Sequence, residues 1–261
     1  MQWEEPLMEA HADVLTGQLA SFGDFPENSQ GLGAGAVLNV GFGMGIIDTA
    51  LQSRNPTHHT IIEAHPQVYA KMVADGWTEK ENVTVLFGKW QDVIHEAGKF
   101  DGVFFDTYGE YYEDMHNFHE LLPNLLNPGG IYSFFNGMCP FNIFFHGVAC
   151  ELVRLELQAI GLVSHFVPIQ IQLDPATWQG VRRKYWQRET YYLPICLNTR
   201  STGGGGLGGA LDEVATTTAP PAEMGQQQQQ QRASVNPPAE SDMGFSSSSS
   251  SSMTSPSLQR S

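Results

Sequence analysis

Four short segments of the chain combine residue types and spacings that could do chemistry. Gly41-Phe42-Gly43-Met44-Gly45 follows the apolar run Ala36–Val40. Glycines at such a point let backbone approach a ligand closely and turn sharply into a helix. Glu63 comes 22 positions after Gly41, at the end of the apolar run Thr60–Ile62. An acid at that spacing can hydrogen-bond both hydroxyls of a ribose, although a strand-end acid can also be a simple cap. Asp106, leading into Thr107-Tyr108, follows the run Gly102–Phe105, and Asn136 follows Ile131–Phe135. A glycine turn paired with a strand-end acid points to a nucleoside-bearing ligand. The dinucleotide fingerprint GxGxxG needs a third glycine for helix packing, and Ile46 occupies that place. The shorter GxGxG suits S-adenosylmethionine, which has no pyrophosphate to cradle and whose methionine part needs close backbone contact. The pattern favours it over a nicotinamide cofactor.

These residues matter only if the chain places them on one edge. Apolar β-rich runs at Ala36–Val40, Thr60–Ile62, Val83–Phe87, Gly102–Phe105 and Ile131–Phe135 alternate with helical patterns. The helices are expected over Ile46–Arg54, Pro66–Asp75, Trp90–Glu96, Tyr111–Leu126 and Asn142–Ile160, the fourth stopping at Asn127-Pro128-Gly129-Gly130. A further helix precedes a Gly-rich loop over residues 21–35. Leu162–Gln172 and Tyr191–Leu197 read as two last strands, an antiparallel pair at one sheet edge. Alternation of this kind predicts an α/β fold, a seven-stranded mostly parallel sheet with helices on both faces. In such a sheet ligands bind at the carboxyl ends of the strands, where all four segments fall.

The remaining chemistry-bearing clusters are weaker. Asp106, Glu110, Glu113, Asp114 and Glu120 form a stretch without Lys or Arg, able to steer a cationic group or to be a solvated helix face. His116 and His119 share a helical face, but no third ligand has a suitable spacing, so no metal site is expected. Arg182-Arg183-Lys184 with Tyr185, Trp186 and Arg188 reads as a solvated connector with one anchoring aromatic, and Trp77 and Trp178 as packing residues.

Composition sets the outer bounds. The net charge is −15 over 261 residues. Residues 201–261 hold two basic and five acidic residues, leaving 11 basic and 23 acidic, net −12, in residues 1–200. That balance argues against a strong nucleic-acid binder and suits a cationic partner. Runs of glycine (Gly203–Gly206), glutamine (Gln226–Gln231) and serine (Ser246–Ser252) mark residues 201–261 as a low-complexity tail, expected to be disordered. Residues 1–200 suit one domain. Three cysteines without a CxxC pair, no 18-residue apolar run and no secretory signal give an expectation of cytoplasm and nucleus, with no membrane partner.

At this level the chain resembles a known family. The segments WEEPLMEAHA (Trp3–Ala12), VLNVGFGMGIIDTALQ (Val37–Gln52), HTIIEAHPQVYAKM (His59–Met72), GKWQDV (Gly88–Val93), FDGVFFDTYGEYYEDM (Phe100–Met115) and LLNPGGIYSFFNGM (Leu125–Met138) span nearly all of residues 1–140 in order. They resemble the class I methyltransferase domain, Rossmann-like in topology, shared by guanidinoacetate N-methyltransferases and fungal type IV protein arginine methyltransferases. HPQV, FFNGM and VRRKYWQRETYYLPIC (Val181–Cys196) look more like the fungal branch.

The resemblance implies transfer of a methyl group from S-adenosylmethionine to the internal (delta) nitrogen of an arginine in a protein substrate, a ribosomal protein. It implies cofactor contacts from Met8, the loop Phe42, Gly43, Met44, Gly45, Ile46 and Ile47, then Glu63, Ala64, His65, Trp90, Gln91 and Asp106. Glu4 and Asp106 would be catalytic and hold the guanidino group, with Asn136 also in the substrate site. Such a clamp makes chemical sense. A guanidinium is protonated in water up to a pKa above about 12 and is a poor nucleophile. Two carboxylates could fix its fork, localise its charge and take the proton as the methyl moves. The alternatives are a small-molecule guanidine methyltransferase and a non-catalytic relative. The fungal family carries ankyrin-type repeats before this domain, so a chain with Met1 three positions before Glu4 reads as short of that region.

Overall fold

A computed structural model describes residues 2–23, 35–108, 112–171, 179, 186 and 188–200. The tail, Glu110, Trp178, Arg182, Arg183, Lys184, Tyr185 and most of the loop over residues 21–35 lie outside the described residues.

Seven strands form one sheet: β1 Ala36–Val40, β2 His58–Glu63, β3 Val83–Phe87, β4 Phe100–Phe105, β5 Leu126–Phe134, β6 Leu162–Gln170 and β7 Thr190–Asn198. Their order is β3-β2-β1-β4-β5-β7-β6. The first five are parallel, and β7 runs antiparallel between β5 and β6. The last two strands therefore form the expected antiparallel pair. The order reverses between β1 and β4, so their carboxyl ends open a crevice.

Period-two alternation along the strands divides the core into two layers. Val37, Phe104, Ile131, Leu193 and Ile195 face α1 (Glu5–Leu15) and α2 (Ile46–Ser53). Leu38, Val40, Val103, Phe105, Tyr132 and Phe134 face the opposite way, toward α4 (Trp90–Val93), α5 (Tyr112–His119), α6 (Leu122–Leu125) and α7 (Ile143–Ala159). The remaining helix, α3, spans Pro66–Ala74. Deep in the first layer, the His11 ring bridges Ser133 Oγ at 2.8 Å and Tyr191 OH at 2.9 Å, tying α1 across the sheet. Burial drives that imidazole down from 6.5 to about 3, so it is neutral.

One expected helix does not form as read. Tyr111–Leu126 resolves into α5 and α6, because Pro123 removes a donor and its ring clashes with the preceding turn. The chain then enters β5 at Leu126 and carries Asn127-Pro128-Gly129-Gly130 within the strand instead of stopping there. The register with β4 shifts between Phe100 and Gly102, which accommodates the proline in the ladder. Asn127 Nδ2 donates to Asp101 Oδ1 at 2.8 Å, and Asn198 Nδ2 to the Asn127 carbonyl at 3.0 Å, so side chains hold this stretch where the ladder does not.

Candidate active site

The glycine loop is built by close approach. Gly41 has φ +98°, and a Cβ there would lie 2.0 Å from the Asp106 carbonyl oxygen, so the ends of β1 and β4 nearly touch. Gly45, with φ +70°, is the N-cap of α2 and leaves room for the Phe42 ring, 2.5 Å from where a Cβ would be. Phe42 is buried and packs edge-on against Trp77 at 5.2 Å, so the loop offers its backbone and not this ring to the crevice.

Glu63 ties the loop to β2. Its Oε2 accepts from the N–H groups of Phe42 at 3.0 Å and Gly43 at 3.3 Å, and its Oε1 from His65 at 2.6 Å. A carboxylate offers about four acceptor sites, so roughly one remains for a ligand hydroxyl. Sequence reasoning missed what lies beneath. Buried Asp48, in the first turn of α2, accepts from Asn39 Nδ2 at 2.8 and 2.9 Å, and Asn39 Nδ2 also reaches the Gly41 carbonyl at 3.1 Å. His59 Nε2 lies 3.1 Å from Asp48 Oδ1, at ion-pair distance without hydrogen-bond alignment. Asn39 as the single polar residue of an apolar strand was the one available signal.

Two cavities flank Asp106. The first, about 760 Å³, is lined by Gly41, Gly43, Glu63, Ala64, His65, Trp90, Gln91, Asp106, Thr107 and Tyr108 among others. It gathers most of the residues expected for the cofactor. Trp90 is buried edge-on to Phe105 and Phe118, so its indole is fixed as a wall, while Ala64, His65 and Gln91 are exposed rim residues. The second, about 590 Å³, is lined by Phe105, Asp106, Thr107, Tyr112, Met115, Phe134, Phe135, Gly137, Met138, Cys139 and Ala149. Asp106 and Thr107 belong to both cavities. Burial among these apolar walls pushes the Asp106 carboxyl up from 3.8 to about 6.

The second cavity depends on α5 meeting α7. Glu156 accepts from Tyr112 OH at 3.0 Å, and its carboxylate lies 3.0 Å from His119 Nδ1 and in contact with His116 Nδ1. Burial holds the His119 ring near 3, hence neutral. The two histidines thus brace helices. Among the described residues, no cluster of three or more His, Cys, Asp or Glu could hold a metal.

The other expected residues fall elsewhere. Glu4 is half-buried at the N-cap of α1, and Met8 is buried in the core beside Trp3 and Leu7; neither is in the described lining of these two cavities. Met44 is exposed, Ile46 packs at the edge of the core and Ile47 is buried within it. Asn136 is fully buried: its backbone N–H donates to Tyr191 OH at 2.8 Å and its Nδ2 to the Tyr192 carbonyl at 2.9 Å. Its neighbours Phe135 and Gly137, not its own side chain, line the second cavity. Trp77 packs as expected, and the anchoring aromatic of the connector is Trp186, which stacks on Trp3 at 6.1 Å and has the Arg188 guanidinium over its ring at 5.1 Å. Among the described residues no helix is long and apolar enough to cross a membrane.

Residues 2–142 match the family model described as guanidinoacetate N-methyltransferase. Protein arginine N-methyltransferase 2 of Yarrowia lipolytica is 40% identical over 205 residues, covering 75% of this chain and 41% of that protein. The Saccharomyces cerevisiae protein of the same name is 36% identical over 74% of this chain and 46% of its own length, and that of Cryptococcus neoformans 38% over 75% and 58%. The chain spans about half the length of the curated relatives it matches. Spermidine synthase from Thermotoga maritima superposes with TM-score 0.50 at 12% identity, over 75% of this chain and 60% of that one, a likeness of fold alone.

Proposed function

The chain belongs to the guanidinoacetate N-methyltransferase family, and from that premise we propose that it methylates the delta nitrogen of an arginine in a protein substrate, a ribosomal protein, using S-adenosylmethionine. The observation that carries the proposal is Asp106, a raised-pKa carboxylate shared by a nucleoside-sized crevice and an apolar cavity.

The residues of the first cavity fit the cofactor. Glu63 is pre-oriented by three backbone donors and keeps about one acceptor site for a ribose hydroxyl. Gly43 leaves space for close approach, a Cβ there meeting nothing within 4 Å, and Trp90 supplies a flat wall for a base. S-adenosylmethionine, when bound, supplies an electrophilic methyl on a sulfonium.

Asp106 then has two tasks. As a carboxylate it holds and orients the guanidinium fork, turning one nitrogen lone pair toward the methyl. As the nitrogen–carbon bond forms, the N–H on that nitrogen becomes strongly acidic, and Asp106 can take the proton. A carboxyl near 6 is ionised at neutral pH and is a stronger base than an ordinary aspartate. Glu4 as a second carboxylate rests on the resemblance. Ribosomal proteins are made in the cytoplasm and assembled in the nucleus, and the chain is proposed to act in both.

The test is mass spectrometry of arginines in fungal ribosomal proteins incubated with the chain and labelled S-adenosylmethionine, with guanidinoacetate in parallel. A single methyl whose fragments report the delta nitrogen is expected. Label on guanidinoacetate alone would favour the small-molecule reading, and label on a terminal nitrogen would refute the position assigned.

A further inference from the structure

The helix α7 carries an apolar stripe that the fold does not use. Its buried face presents His146, Cys150, Val153 and Leu157 to the sheet. On the opposite face Phe144, Phe145, Val148, Leu152 and Leu155 are 42–70% exposed, and Phe141 just before the helix is 55% exposed. These six side chains present on the order of 600 Å² of apolar surface, taking about 200 Å² for a large side chain. That is the upper end of what a monomer exposes as one patch.

The stripe adjoins the second cavity. Met138 and Cys139 line that cavity immediately before Phe141, and Ala149 lines it from α7 itself, between Phe145 and Leu152 in helical spacing. Across the mouth, α5 contributes Tyr112 and Met115 to the wall and carries Glu113 and Asp114 in its first turn. Glu156 joins the two helices through Tyr112, His116 and His119. The described lining of the cavity includes one acid, Asp106, and no Lys, Arg or His. On the far flank of the stripe, Glu151 and Arg154 pair with each other at 2.6 Å, and Arg154 also reaches Gln158.

We infer that this face of α7 docks the polypeptide bearing the target arginine, as an extension of the second cavity. The inference rests on the proposed arginine methylation. The occupant is a basic amphipathic segment: its arginine enters the cavity toward Asp106, the alkyl stem lies among Phe135, Met115 and Met138, and apolar side chains within roughly 15 Å lie along α7 from Phe145 to Leu155. Charge selects this occupant over a second copy of the chain. Two copies, each of net charge −15, would bring acid rims together, whereas a basic segment meets them favourably.

The test compares the full chain with the double variant Phe145→Ser/Leu152→Ser and the milder Leu152→Ser, neither residue being in the described lining of either cavity. The probes are acid-extracted fungal ribosomal proteins and guanidinoacetate, each with labelled S-adenosylmethionine. Cofactor Kd is measured by calorimetry and particle mass by light scattering. The expected result is a KM for the ribosomal proteins raised about tenfold or more in the double variant and less in the single one. The kcat, the cofactor Kd and the mass should stay unchanged. An unchanged KM with normal turnover overturns the docking role alone. A wild-type dimer that the variant dissociates assigns the face to a second copy and also overturns it. No turnover of either probe by the wild-type chain would overturn the methylation reading itself, and this inference with it.

Discussion

Asp106 should be a residue whose removal abolishes turnover and stabilises the fold. Its carboxyl is raised from 3.8 to about 6 by burial, so the folded chain binds its proton more tightly than the unfolded chain does. The folded state is therefore penalised above pH 6, where the carboxyl must ionise in place, and the penalty disappears as pH falls through 6 and then 3.8. At about 1.4 kcal/mol per pH unit the shift corresponds to at most about 3 kcal/mol at pH 7.5. The side chain keeps a partial opening onto both cavities, so a realised penalty of about 1–2 kcal/mol is expected. Asp106→Asn removes the charge at nearly constant shape. Urea unfolding should find the variant more stable than wild type by that amount at pH 7.5, and by about a third of it at pH 4.5, where the native carboxyl is already protonated. Comparing the two proteins at each pH cancels every other titrating group. The same variant should bind S-adenosylmethionine within a few-fold of wild type and lose kcat by about a hundredfold or more. Wild-type kcat/KM, which reports the free chain's carboxyl, should fall on an acid limb near pH 6. Equal stability differences at the two pH values, or a variant less stable at pH 7.5, would refute the burial argument. Retained turnover would refute the assigned role.

Four further variants probe the loop and the polar residues beneath it. Gly41→Ala places a methyl 2.0 Å from the Asp106 carbonyl at a φ that disfavours side chains, and should cost about 3 kcal/mol or more, or prevent folding, as read by thermal denaturation. Glu63→Ala removes the acceptor of three backbone N–H groups together with the ribose contact; calorimetry should show cofactor Kd raised at least about tenfold, more than the loss of stability explains. Asp48→Ala leaves Asn39 and His59 buried without their acid and should destabilise by about 3 kcal/mol or more, while Asn39→Ala should be milder because it leaves Asp48 near His59.

What was legible in the sequence was whatever the chain encodes locally. Buried parallel strands read as short apolar runs, and a Gly41 or Glu63 just past such a run falls on the carboxyl edge of the sheet. That rule alone brought Gly43, Glu63 and Asp106 to one cavity, while Trp90 was expected there from the family resemblance. The hidden features depend on pairs of elements meeting. Asn39, Asp48 and His59 come from a strand, a helix and another strand, and only the parallel pairing of β1 with β2 closes them beneath the loop. The second cavity exists because Glu156, 37 to 44 positions from its partners, holds α5 against α7. The break at Pro123 works the same way: ending α5 early lets Phe118 and Leu122 pack under Tyr132 while Tyr112 and Met115 turn to the cavity. A continuous helix to Leu126 would keep the strand from starting there and would shift Phe134 and Phe135, which wall the cavity, along β4. The misread proline is thus part of what sets the distance between the acid at the end of β4 and the aromatic wall opposite it.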